Sequence, residues 1–122
     1  MSIRLSSIFS SLFAWFSCLI NLFKVALPLV PASRCNSNLK FALNQQRQGT
    51  GDRFQLHSSE VCAGGEVGKD ACTGDGGSPL VCQSNTGRWT VVGLVTWGVG
   101  CGSDTPGVYA KVSNFRQWIN AN

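Results

Sequence analysis

The sequence predicts a small all-β domain with one short helix before its middle and another at its C-terminus. Three observations carry that expectation. Glycine occurs 14 times in 122 residues and only 13% of residues are charged, a composition of turns and β-formers that suits packed strands and argues against disorder. β-branched and aromatic residues gather in runs bounded by turn formers, the longest from Arg88 to Trp97. Six cysteines accompany a single histidine, with no C-x-x-C pair, so a zinc site has little to build on and disulfides in an oxidising compartment are expected. A chain of this length holds one domain and buries roughly 65% of its unfolded surface.

Residues 1–26 stand apart from the rest. Arg4 precedes an apolar run from Ile8 to Phe23, shorter than the roughly 18–20 residues a bilayer span needs. The segment reads either as a signal peptide, with a poor cleavage region at Leu-Phe-Lys-Val-Ala, or as non-native sequence in place of a missing amino-terminal half. No stable membrane span is expected. The folded unit is assigned to residues 27–122.

Pro28 and Pro31 bracket an extended piece at Leu29-Val30, after which Ser33 is positioned to cap a helix carrying Cys35, Leu39, Ala42 and Leu43 on one face. Asn44 to Asp52 is polar, with Gly49 and Gly51, and reads as a surface loop. Arg34, Lys40, Arg47 and Arg53 lie in or near it and are read as a solvated face rather than a partner patch. Pro79 to Cys82 and Arg88 to Trp97 form a hairpin across Ser84-Asn85-Thr86-Gly87. Gly107 to Val112 is a further strand, and Ser113 is positioned to cap a final helix whose inward face is Val112, Phe115, Trp118 and Ile119. Of the net charge of +4, two charges belong to Arg4 and Lys24, and no basic stripe or aromatic platform points to a nucleic acid.

The stretch with chemical content is Cys72 to Cys82, CTGDGGSPLVC. Two cysteines flank a Gly-Asp-Gly-Gly turn that leads into a strand, an arrangement suited to presenting backbone N–H groups. It resembles the nucleophile loop of the trypsin/chymotrypsin-like serine proteases, C-x-G-D-S-G-G-P-L-V-C, without a gap. Gly76 stands where that family carries its serine, and Ser78 replaces a family glycine two places on. In this form the loop is similar to that of the arthropod clip-domain serine protease homologues.

The resemblance covers about residues 27–122. It implies the C-terminal six-stranded barrel of the trypsin-like double-barrel fold, with an intermediate helix and a C-terminal helix, the N-terminal barrel being missing. It implies disulfides Cys35–Cys62 and Cys72–Cys101, and leaves Cys82 and Cys18 unpaired. Asp70, six residues before Gly76, matches the acid at the floor of the family's primary specificity pocket. Thr96, Trp97 and Gly98, with Pro106, Gly107, Val108 and Tyr109, match its walls. Gly74 and Gly76 match the oxyanion-hole amides. Asp75 matches the acid that pairs with the α-ammonium made by activation cleavage. No activation sequence such as I-V-G-G occurs here, so either the pocket is zymogen-like or that ammonium comes from another stretch.

A serine becomes a nucleophile only with a base within hydrogen-bond reach and a third group orienting that base. Gly76 offers no heteroatom, and Ser78, about 6.5 Å away along extended chain, lies beyond the roughly 2.6–3.2 Å a base requires. A turn glycine at 76 that needs a permissive backbone is the structural reading compatible with this. His57, in Phe-Gln-Leu-His-Ser-Ser, matches no catalytic motif and is read as a surface histidine. The expectation is therefore no catalytic residue, no cofactor and no metal.

By resemblance the chain is an extracellular, secreted, non-catalytic protease homologue. Its partners would be extracellular proteins, including proteases or proenzymes of a proteolytic cascade such as melanisation, with self-association through the face the missing barrel leaves bare. Two other readings stand beside it. Asp70 and the fold favour a trypsin-like endopeptidase cleaving after Arg or Lys, which Gly76 and the missing histidine and aspartate oppose. A truncated product without independent function is the third.

Overall fold

A computed structural model of the protein describes residues 2–4 and 25–122. Six antiparallel strands hydrogen-bond in the cyclic order β1-β2-β3-β6-β5-β4. They are β1 (Ser2–Arg4), β2 (Ala26–Val30), β3 (Glu60–Gly64), β4 (Pro79–Gln83), β5 (Trp89–Trp97) and β6 (Pro106–Lys111). β1 pairs with β2 over Ser2–Arg4 and meets β4 at one pair, Arg4 opposite Val81. The segment expected to be signal-peptide-like or non-native thus contributes a short strand, and Ala26 begins β2; Cys18 lies outside the described residues.

β5 is the longest strand described because β-branched and aromatic residues fill it on both sides of Gly93, and it joins β4 on one side to β6 on the other. The turn before it closes as expected, with Gly87 N–H donating to the Ser84 carbonyl at 3.0 Å and Ser84 N–H to the Arg88 carbonyl at 2.9 Å. β3 carries no strand signal of its own. Glu-Val-Cys-Ala-Gly is held as a strand by its neighbours, Val30 opposite Cys62 on one side and Cys62 opposite Val108 on the other.

Two apolar clusters make the core. Leu27, Ala63, Leu80 and Tyr109 fill the barrel, backed by Val25, Val61, Val92 and Val95. Outside it, α1 (Ala32–Gln46) buries Cys35 and Leu39 against Leu56, Cys62 and Val108. The Cys35–Cys62 disulfide fastens α1 to β3. The Asn36 side chain accepts from Leu56 N–H at 2.8 Å, holding the run that leads to β3 against the helix.

Two capping expectations are corrected. α1 begins one residue before Ser33 with Pro31 as its N-cap, and no side-chain cap bond forms; proline's fixed φ suits this boundary. At the C-terminus a 3-10 turn, Val112–Phe115, absorbs Ser113 before α2 (Arg116–Ala121), so Ser113 does not cap it. The face expected to point inward is also corrected among the described residues: Phe115, Trp118 and Ile119 are exposed, Trp118 at 68%. They line an apolar groove of about 640 Å³ with Val91 and Leu94 of β5.

Candidate functional site

The loop between β3 and β4 is organised by reciprocal bonds across a tight turn. Asp75 N–H donates to the Cys72 carbonyl at 3.0 Å, and Cys72 N–H donates to the Asp75 carboxylate at 2.8 Å. Ser78 N–H closes the next turn on the Asp75 carbonyl at 2.9 Å. The loop is then stitched to β5, Gly77 N–H donating to the Val95 carbonyl and Val95 N–H to the Ser78 carbonyl. The Cys72–Cys101 disulfide fastens its other end to the β5–β6 connection.

Gly74 and Gly77 have φ of +96° and +82°, a region side chains avoid. Gly76 does not, and nothing lies within 4 Å of the place a Cβ would occupy there. The backbone therefore does not require glycine at the nucleophile position, contrary to the turn-glycine reading. Asp75 is exposed and committed to its own loop, so it is not a buried acid awaiting a partner.

Behind this loop lies a cavity of about 560 Å³, lined by residues from Ala71 to Gly74, Gly76, Val95 to Gly98, Gly100, Cys101 and Gly107 to Tyr109. Thr96, Trp97, Gly98 and Gly107 thus meet Gly74 and Gly76 around one space. The Thr96 hydroxyl donates to the Val108 carbonyl at 2.8 Å and fixes that wall. Trp97 packs edge-on to Phe54, ring centroids 5.6 Å apart, and its indole N–H reaches Glu60 at 3.2 Å.

The Asp70 carboxylate stands just behind Gly107. A Cβ at position 107 would lie 3.3 Å from Asp70 Oδ1 and 3.5 Å from the Tyr109 hydroxyl, so glycine is what keeps this end open. Asp70 Oδ2 accepts from Gly102 N–H at 3.2 Å, but Oδ1 and the Tyr109 hydroxyl are buried without a partner among the described residues. Burial pushes the Asp70 carboxyl up; the Gly102 and Ala71 N–H groups oppose the shift, and the Asp75 charge adds to it. Burial also holds the Tyr109 phenol at about 12, with Asp70 and Asp75 adding to the shift, so it keeps its proton at any ordinary pH.

His57 lies away from this space. It is exposed on the run before β3, its N–H donating to Glu60 at 2.8 Å and its Nδ1 2.7 Å from the Ser59 hydroxyl. Gly76 brings no side-chain heteroatom to the loop, and no cluster of three metal-binding side chains occurs among the described residues. Among the same residues no helix is long and apolar enough to cross a membrane, and Cys82 is a free thiol whose pKa burial raises. The Gly102 N–H and the shared isolation of Asp70 Oδ1 and Tyr109 escaped the sequence reading. A backbone donor leaves no residue signature, and a missing partner leaves none either.

A family model described as "Trypsin" matches residues 19–119. Among curated proteins, Phenoloxidase-activating factor 2 of Galleria mellonella is 50% identical over 100 residues, 80% of this chain and 31% of that protein. Inactive CLIP domain-containing serine protease A28 of Anopheles gambiae is 44% identical over 98 residues, 80% of this chain and 24% of that protein. Inactive CLIP domain-containing serine protease A3 of Aedes aegypti is 54% identical over 92 residues, 74% of this chain and 19% of that protein. The chain spans under a third of the length of each of these relatives.

Proposed function

Since this chain belongs to the trypsin family, we propose that it is a non-catalytic serine protease homologue whose binding cavity outlives its chemistry. The observation that carries this reading is Gly76. It matches the nucleophile position of an otherwise well-formed loop, beside a cavity lined by Gly107 and Tyr109, and next to Gly107, Asp70 Oδ1 and the Tyr109 hydroxyl are buried without partners among the described residues. Glycine at that position offers no hydroxyl to attack a carbonyl, and His57, the chain's one histidine, lies away from the loop and could not activate one there.

The cavity takes a basic side chain. A buried carboxylate oxygen without a partner is costly, and an ammonium or guanidinium entering between Gly98 and Gly107 would supply the missing donor in a charge-assisted bond. The Tyr109 hydroxyl beside it can accept a further N–H. Two disulfides support an extracellular setting. The names of the relatives, one a phenoloxidase-activating factor and two inactive CLIP domain-containing proteases, support a role as a binding partner or cofactor of proteases or proenzymes in an extracellular, melanisation-type cascade.

Two measurements test this together. The chain is expected to bind p-aminobenzamidine, an aromatic cation of the right size, and to remain unlabelled by a fluorophosphonate. Labelling would overturn the non-catalytic reading, and absence of amidine binding would overturn the basic-side-chain reading. For the cascade role, the chain added to a reconstituted prophenoloxidase system should change the rate at which the zymogen is activated; an unchanged rate counts against it.

A further inference from the structure

We infer that the Arg47–Gln48 peptide bond is the place where an endopeptidase specific for basic residues cuts the folded chain, giving a two-chain molecule held together by the Cys35–Cys62 disulfide. The bond stands apart from the cavity, so a negative result here would leave the reading above untouched.

Arg47 sits on a tip that is closed at its base. Leu39 is the last fully buried residue of α1, and residues 45–50 are all exposed. Arg47 leaves the helix in extended backbone, φ −151° and ψ 117°. Gly49 then turns the chain back at φ +81°, with nothing within 4 Å of the place of its Cβ. The backbone bonds of the tip are local, Arg47 N–H donating to the Leu43 carbonyl at 3.0 Å and Thr50 N–H to the Arg47 carbonyl at 3.1 Å. Below it the Asn44 side chain spans the base, accepting from Gly51 N–H at 2.7 Å and donating to Asp52 at 2.9 Å. A tip that packs on nothing opens without disturbing what lies beneath it, and an endopeptidase needs such an opening to draw the chain out straight.

The other described cations are guarded. Arg34 and Lys40 lie within α1, Arg116 within α2, and Arg4 and Lys111 within strands. Arg53 ends the 3-10 turn Gly51–Arg53, which is pressed at Gly51 against the Lys40 carbonyl. Lys69 is ion-paired to Glu66 at 3.1 Å. Arg88 is tied at both backbone groups, its carbonyl accepting from Ser84 N–H and its own N–H donating to the Ser84 hydroxyl. Around Arg47, by contrast, no proline and no acidic residue lies between residues 43 and 51, so nothing stiffens the chain or competes for the guanidinium.

Connectivity gives the cut its meaning. Water adds its hydroxyl to the Arg47 acyl carbon and its proton to the Gln48 nitrogen as the bond between them breaks. The break falls between Cys35 and Cys62, so their disulfide retains both pieces. Leu56, buried beside Leu39 with its N–H on the Asn36 side chain at 2.8 Å, keeps the second piece seated. No fragment leaves; a new amino terminus, Gln-Gly-Thr-Gly, and a new carboxylate at the end of α1 appear instead. A negative charge at a helix C-terminus opposes the helix dipole, so the cut loosens the last turn of α1.

Limited digestion of the full chain with pancreatic trypsin, which cuts after Arg and Lys, tests this. Within residues 25–122 the first cut is expected after Arg47, read as the amino terminus Gln-Gly-Thr-Gly, with the two pieces migrating together until a reductant is added. Cleavage within residues 25–122 of Arg47→Gln, compared at equal melting temperature, should be at least about tenfold slower than in the parent, because every remaining site waits on the opening of helix, strand or turn bonds. A first cut after another residue of that span, pieces that separate without reductant, or a variant cut as fast as the parent would each overturn the inference.

Discussion

Asp70 is where charge, burial and the proposed binding role meet in one side chain. Its carboxyl lies above the ordinary value of 3.8 because burial disfavours the charged form. Between that value and the raised folded one, the folded state binds more protons than the unfolded, so stability falls as pH rises through the window and the ionised group remains a cost above it. Asp70→Asn removes that cost. Its melting temperature should exceed that of the parent by a few degrees at about pH 7, and the gap should close as pH falls below the ordinary carboxylate range, where both forms are neutral; a lower melting temperature at neutral pH would contradict this. The same variant should lose at least about tenfold in amidine affinity, through loss of a charge-assisted bond. Gly76 is the complementary case, a residue whose replacement the backbone tolerates. Gly76→Ser should leave unfolding stability within about 0.5 kcal/mol of the parent and should still resist fluorophosphonate. A hydroxyl restored without a base is not an activated nucleophile, and labelling of this variant would reveal one.

At the scale of elements, α1 is held to the barrel by small, specific contacts as much as by its buried face. The Asn44 side chain accepts from Gly51 N–H at 2.7 Å and donates to Asp52 at 2.9 Å, while the place of a Cβ at Gly51 collides with the Lys40 carbonyl. Gly51→Ala should therefore cost about 1–3 kcal/mol or more, the range for overpacking, measured as a lower denaturation midpoint with an unchanged slope; a neutral effect would mean that the turn simply moves away. Polar residues and two glycines mark a loop there in the sequence, but not which glycine the helix presses on. The same limit runs through the fold. Arg88–Trp97 and Pro79–Cys82 declare themselves because β-formers and a turn sequence act locally. Glu60–Gly64 does not, since its pairing with Val30 and Val108 is decided by neighbours far away in the chain, and three residues at Ser2–Arg4 are too few to show a period. The helix starts were misplaced by one-sided rules: Ser33 and Ser113 are good capping residues, but Pro31 and a 3-10 turn at Val112–Phe115 took those positions. The site loop was legible because its spacing is rigidly local, cysteine to cysteine, whereas the Gly102 N–H on Asp70 joins residues 32 apart.

For the molecule as a whole, the periodic stripe at Val112, Phe115, Trp118 and Ile119 was readable, but its destination was not. Periodicity states that a face is apolar and leaves open what covers it. Among the described residues it remains bare: Leu94, Phe115, Trp118 and Ile119 are 39%, 44%, 68% and 47% exposed around an apolar groove of about 640 Å³. A second groove, lined by Leu29, Val61 and Val91 among others, shares Val91, Val112 and Ile119 with it. Contiguous apolar surface of this kind favours association in water, at a rate of about 25 cal/mol for each square ångström covered. The isolated chain should accordingly sediment as larger species with rising concentration. The double variant Trp118→Glu with Ile119→Lys should shift that dependence to higher concentration, because both side chains are largely in solvent and charges there cost the fold little. The two substitutions leave net charge unchanged, so a shift reports lost apolar surface and not added repulsion. Amidine binding, whose residues lie elsewhere, should be retained, separating lost association from lost folding. A parent chain that stays monodisperse at every concentration would contradict this prediction.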